Sequence, residues 1–151
     1  MPKFLVGRDI ELFKSFAREL VDDVVENICV LFKVNINETK VNLYGEALNK
    51  TWQPGVELNV LINKARQDAD YAGFGADTSQ NIEFRFDRWM LEEKNSYPEI
   101  GDVIYFDSSY YEIDNTSEVQ FVGGLPQNNF SVVCSTFMVR KSQLNIEERI
   151  K

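Results

Sequence analysis

Histidine is absent from the 151 residues of this chain. Its absence removes the commonest general base, the usual serine and cysteine triads and most zinc sites together, because each relies on an imidazole near neutral pH. Cysteine is almost absent, and both Cys29 and Cys134 lie inside apolar runs. No neighbour stands ready to make either a thiolate, and no dense cysteine framework suggests a disulfide, so both read as small buried hydrophobes. Positive charge is scarce: 16 Lys and Arg stand against 24 Asp and Glu, a net charge of −8. That balance argues against a nucleic-acid reader, whose affinity rests on releasing counterions with basic side chains. It suits a wall that lets DNA pass without holding it, since negative charge repels phosphate, and equally suits simple solubility. Long apolar runs are missing too. Lys3, Arg8, Asp9, Glu11, Lys14, Arg18 and Glu19 interrupt the first twenty residues, so neither a secretory leader nor a membrane span is expected. The sequons at Asn37, Asn49, Asn115 and Asn129 are then coincidental. No glycine-rich phosphate loop occurs, because Gly123-Gly124 runs into Pro126 where Lys and Ser or Thr would be needed.

What is present is an ordinary globular composition, 44% hydrophobic and 26% charged, consistent with one domain over residues 1–151. A chain of this size buries enough surface to fold without a metal or disulfide staple. Residues 1–7 read as a loosely held terminus. Ile10, Phe13, Ala17, Leu20 and Val24 recur at spacings of three and four, which predicts a helix over about 9–24 whose stripe packs on the core. Period-two patterns then predict strands near 26–35, 56–62, 82–87, 119–122 and 131–139. The stretch from Gly101 to Ile113 predicts a strand pair around a tight turn at Asp107-Ser108-Ser109. Residues 41–55 read as an irregular ordered loop punctuated by Gly45 and Pro54-Gly55, 63–81 as a long polar excursion, and 88–93 as a short helix. The sum is a mainly β, α+β domain: a small antiparallel β-barrel or sandwich over about 26–140, an N-terminal helix, and a C-terminal arm at 141–151 that needs a surface to lie on.

Signals for chemistry are weak. Asp68-Ala69-Asp70-Tyr71-Ala72-Gly73 resembles the first half of a calcium loop, but Ala72 and Ser79 stand where two of its carboxylates belong. A solvated acidic loop is the expectation. Carboxylate pairs for acid–base work exist at Glu92-Glu93, Glu83 with Asp87, and Glu147-Glu148, with nothing beside them to single one out. No enzymatic activity, catalytic residue, cofactor or metal is therefore expected. Tyr105, Phe106, Tyr110 and Tyr111 cluster, with Trp52, Trp89 and Tyr97 elsewhere. With so few basic residues beside them, they read as packing in preference to a stacking platform.

Three motifs carry a resemblance. They are Glu19-Leu20-Val21-Asp22-Asp23-Val24-Val25-Glu26 closing the helix, Asn42-Leu43-Tyr44-Gly45-Glu46-Ala47 with Lys50, and Pro98-Glu99-Ile100-Gly101-Asp102-Val103-Ile104 leading to Tyr111-Glu112-Ile113. In this order they cover most of residues 18–140, and the chain resembles the neck proteins (head–tail connector and head-closure subunits) of large tailed bacteriophages. The resemblance implies a non-enzymatic virion subunit, made in the cytoplasm of the bacterial host and forming a homo-oligomeric ring in the virion neck. Portal or adaptor proteins would lie above the ring and tail-terminator or tail proteins below. Genomic DNA would pass non-specifically through its channel, with no membrane involved. Leu144 and Ile146 in the arm, and Tyr71 and Phe74 in the long loop, are the expected subunit-interface residues. A tail-completion or tail-terminator ring protein is the nearest alternative. After it come a stand-alone β-barrel ligand-binding module and an acid–base enzyme.

Overall fold

The computed structural model describes residues 7–41, 47–64, 68–70, 77–120, 129–141, 144 and 146. Helix α1 (Gly7–Glu19) runs directly into a π-helical turn (Leu20–Val25) that Glu26 stops by taking a left-handed conformation. Strands follow in chain order: β1 (Ile28–Phe32), β2 (Lys40–Val41), β3 (Ala47–Asn49), β4 (Val56–Asn59), β5 (Leu61–Lys64), β6 (Asp68–Asp70), β7 (Asp77–Ser79) and β8 (Asn81–Asp87). The short helix α2 (Arg88–Glu93) precedes β9 (Val103–Phe106), β10 (Ser109–Gln120) and β11 (Asn129–Val139).

Seven strands make one antiparallel sheet in the order β4-β1-β9-β10-β11-β8-β5, while β2–β3 and β6–β7 are separate two-stranded ribbons. The domain is thus mainly β with an N-terminal helix, as the patterning predicts. It is neither a sandwich nor a closed barrel, because no ladder joins the outermost strands of the described sheet. Those strands are nevertheless consecutive in the chain: β4 and β5 are separated only by Val60, which is fully buried and donates its N–H to the Asn27 carbonyl at 2.9 Å. One segment therefore supplies both edges, and the sheet must coil until its edges meet at that residue.

Packing explains the residue choice on β1. Cys29 and Leu31 point into the main core, with Leu58, Phe84, Phe86, Ile104 and Ile113 from the sheet and Met90 and Leu91 from α2. Val30 and Phe32 point the other way, into a second cluster with Val103, Tyr110 and Leu144. A strand buried on both faces needs a continuous apolar run, which is what Ile28-Cys29-Val30-Leu31-Phe32 provides. Gly55 is required at the margin of this second cluster. A Cβ there would lie 2.5 Å from Val30 Cγ1 and 2.9 Å from Phe32 Cε1.

The longest ladder joins β10 to β11, and its register slips between Ile113 and Asn115 so that Asp114 is extra. This β-bulge changes which residues of β10 face the core, from Tyr111 and Ile113 before it to Thr116 after it. The polar run Asp114–Glu118 is therefore strand, and the separate strand expected at 119–122 is, as far as Gln120, the end of β10. Residues 121–122 lie outside the described residues.

The helix expectation needs a correction. Helix and π turn together cover the predicted span, but α1 contains no buried residue, and Phe13, Leu20 and Val24 are each at least half exposed. Only Val21, in the π turn, enters the core. The physical reason is that both apolar faces of the coiled sheet are already covered, one by α2 and the other by Leu144 with Trp52.

Candidate interaction surface

Helix α1 is fastened to the body by its polar side. The Arg18 guanidinium lies over the Trp89 ring, 4.2 Å from its centroid, and Asn59 Nδ2 donates to Asp22 Oδ1 at 2.7 Å. With about 3.6 residues per turn, Phe16 lies about 200° from Arg18 around the helix. Leu12, Phe16 and Leu20, at spacings of four, form one row on that opposite side and are 52%, 59% and 50% exposed. The anchor thus turns an apolar row outward. It is an unusual arrangement, because a surface helix ordinarily buries its apolar stripe.

Beneath the anchor lies Asp87, the last residue of β8 and almost fully buried. Burial, with Asp22 nearby, raises its pKa from 3.8 to about 6, while Trp89 and Arg85 offset part of the rise. Neither Asp87 Oδ2 nor Trp89 Nε1 completes a hydrogen bond of good geometry among the described residues, so the indole acts on the carboxyl by proximity alone. A second buried carboxylate, Asp102, is well satisfied. Its Oδ1 accepts from Val34 N at 3.0 Å and its Oδ2 from Glu99 N at 2.9 Å, while burial still raises its pKa. Asp102 ties the segment after β1 to its own loop before β9, beside Gly101, whose φ of +92° only glycine adopts easily. Its role is structural.

The outer face of β5, β8 and β11 carries an open groove of about 310 Å³ lined by Leu61, Asn63, Glu83, Arg85 and Val133, with Ile62 beside them turned toward the main core. Its volume sits at the lower end of the roughly 300–1,000 Å³ range for small-molecule pockets. No group of three or more metal-ligating side chains converges there or elsewhere among the described residues.

The candidate residues read from the sequence fall as follows. Leu144 is buried against the second cluster, Ile146 packs beside it, and the Leu144 carbonyl accepts the Trp52 indole N–H at 2.7 Å. The surface on which this part of the arm lies is therefore the chain's own sheet. Tyr71 and Phe74 lie outside the described residues. Asp68 and Asp70 stand in β6, laddered to Ser79 and Asp77. Tyr110 and Tyr111 are buried, and Tyr111 meets Phe84 edge-to-face at 5.7 Å, so these aromatics pack, as expected, and offer no stacking platform. Cys29 and Cys134 are buried free thiols, each pushed up to about 12 by burial, which suits the small-hydrophobe reading. Glu83 and Asp87 lie four residues apart on one face of β8, but Glu83 is exposed and Asp87 buried.

Several cations already face carboxylates. Lys50 meets Glu112 at 2.7 Å, Lys33 meets Glu99 at 3.3 Å, Lys64 meets Asp107 at 3.4 Å, and Arg88 lies between Glu92 and Glu118 at 3.1 and 3.3 Å. Such exposed pairs add little stability, but they leave those cations poorly placed to bind phosphate. The outward row on α1 is the feature that sequence reasoning missed. Its periodicity was visible; which way the helix would be turned was not. No protein-family model and no curated protein matches the chain.

Proposed function

We propose that this chain is a structural subunit of a viral particle: a neck protein that forms a ring between the portal and the tail of a bacteriophage, closes the head and lets DNA through a channel that does not hold it. The observation that carries this reading is the outward row Leu12, Phe16 and Leu20 on a helix pinned by its polar side. An exposed apolar stripe on a rigid β body marks a contact with another protein surface. The acidic balance, with several cations engaged by carboxylates, supports a channel wall that lets phosphate slide. The motif resemblance to phage neck proteins supplies the particular assembly, with portal or adaptor proteins above, tail-terminator or tail proteins below, and the virion neck as its location.

The test is removal of the chain during infection. Heads that have lost their DNA and complete but unattached tails are the expected products, with the tagged chain located at the head–tail junction of normal particles. Joined particles made without it, or purified particles lacking it, would refute the proposal. A tail-terminator role predicts a different defect, tails of uncontrolled length.

A further inference from the structure

We propose that α1 and its π turn form a latch, which closes over an uncharged Asp87 and loosens when that carboxyl ionises. The latch belongs to the single chain and does not depend on the ring reading.

Geometry supplies the parts. No residue of α1 is buried, and segments with little buried apolar contact open locally at low cost. The anchor gathers at the foot of the helix. Arg18 covers the Trp89 ring, Asp22 reaches Asn59 and lies 3.8 Å from Arg18, and Val21 is the buried residue of the π turn. Such turns are rare and recur at functional sites. This one ends at Glu26, whose φ of 49° is strained for a residue with a Cβ, so a hinge sits beside the anchor. Under the foot, Asp87 Oδ2 is buried without a partner among the described residues, and so is the neighbouring Trp89 Nε1. Closing the latch brings a second carboxylate, Asp22, toward Asp87. Arg85 on β8 offsets part of the cost, while Arg88 is engaged by Glu92 and Glu118, and Ser131, the ladder partner on β11, carries no charge. Burial first, and Asp22 after it, hold the closed-state pKa at about 6 against an ordinary 3.8. Below the lower value both states keep the proton and the latch is tightest. As pH rises through the upper value, the closed state must bury a charge that the open state hydrates, so opening grows.

Hydrogen exchange of the full chain at pH 5 and pH 8, corrected for the intrinsic exchange rate, tests this. The amides of Leu20–Val25 and Glu26 report the latch, and those of β10 and β11 report the body. Opening of the latch segment is expected to rise about tenfold between the two pH values, with β10 and β11 still protected. Asp87→Asn, which keeps the shape and removes the titration, should abolish the rise. Asp22→Asn, which keeps an oxygen for Asn59 but removes the second charge, should give a smaller rise than the parent. A flat response in the parent, or an equal rise in Asp87→Asn, would overturn the proposal. So would a rise in Asp22→Asn as large as the parent's, which would put that charge away from Asp87, or one shared by β10 and β11, which would mark global unfolding.

Discussion

Asp87 shows how one side chain sets a pH response. Its pKa in the folded chain, about 6, lies above the ordinary 3.8. Between those values the folded chain holds a proton that the unfolded chain has released, so stability falls as pH rises through the window and returns as pH drops. The full effect is about 3 kcal/mol for a shift of this size. Asp87→Asn is therefore expected to be more stable than the parent by about 1–3 kcal/mol at pH 8, with the gap closing near pH 4. Urea unfolding across that range measures it, and a loss of the same size at both ends would contradict the burial account. The turn between β9 and β10 carries a second single-residue expectation. Asp107 and Ser108 both have positive φ, 49° and 62°, the geometry of a two-residue turn that favours Asn-Gly. Ser108→Gly relieves about 1–2 kcal/mol of left-handed strain and returns part of it as chain entropy, for a net gain of about 0.5 kcal/mol. A rise of about 1–2 °C in melting temperature is the readout.

At the scale of elements, the C-terminal segment and α1 exchange the roles that their patterns suggest. The arm looks like a grip for a neighbour, yet Leu144 closes the second cluster over Val30, Phe32 and Tyr110. Leu144→Ala should cost about 2–4 kcal/mol in the isolated chain, seen as a lower urea midpoint with an unchanged slope. Less than about 0.5 kcal/mol would place its main contact elsewhere. Helix α1 looks like a core helix, yet Leu12→Ser together with Phe16→Ser should leave stability within about 0.5 kcal/mol of the parent, because neither side chain is buried. A large loss would show that the row covers its own domain.

The whole molecule is acidic, with a net charge of −8, and that charge opposes any meeting of two copies. Repulsion between like charges fades beyond the Debye length, about 10 Å at 0.1 M salt and 3 Å at 1 M, whereas apolar docking persists. Self-association into the proposed ring should therefore strengthen as salt rises from low to moderate concentration, read by sedimentation. Association that weakens steadily with salt would point to a contact dominated by ion pairs. The same charge predicts that duplex DNA is not retained even at low salt.

Local chemistry made much of this protein readable before its shape was known. Alternation placed β8 and β11, the continuous run at 28–32 marked a buried strand, spacing placed the N-terminal helix, and the missing histidine narrowed the chemistry. Those features depend on neighbours within a few residues, where periodicity and turn preference act. Tertiary structure alone decided three others: the bulge at Asp114 that carries a polar run into the sheet, the single segment around Val60 that supplies both sheet edges, and the outward turn of α1. Each depends on which partner reaches a surface first. Leu144 and α2 cover the two sheet faces, so the apolar row of α1 is left facing solvent, a competition between distant segments that no local pattern records.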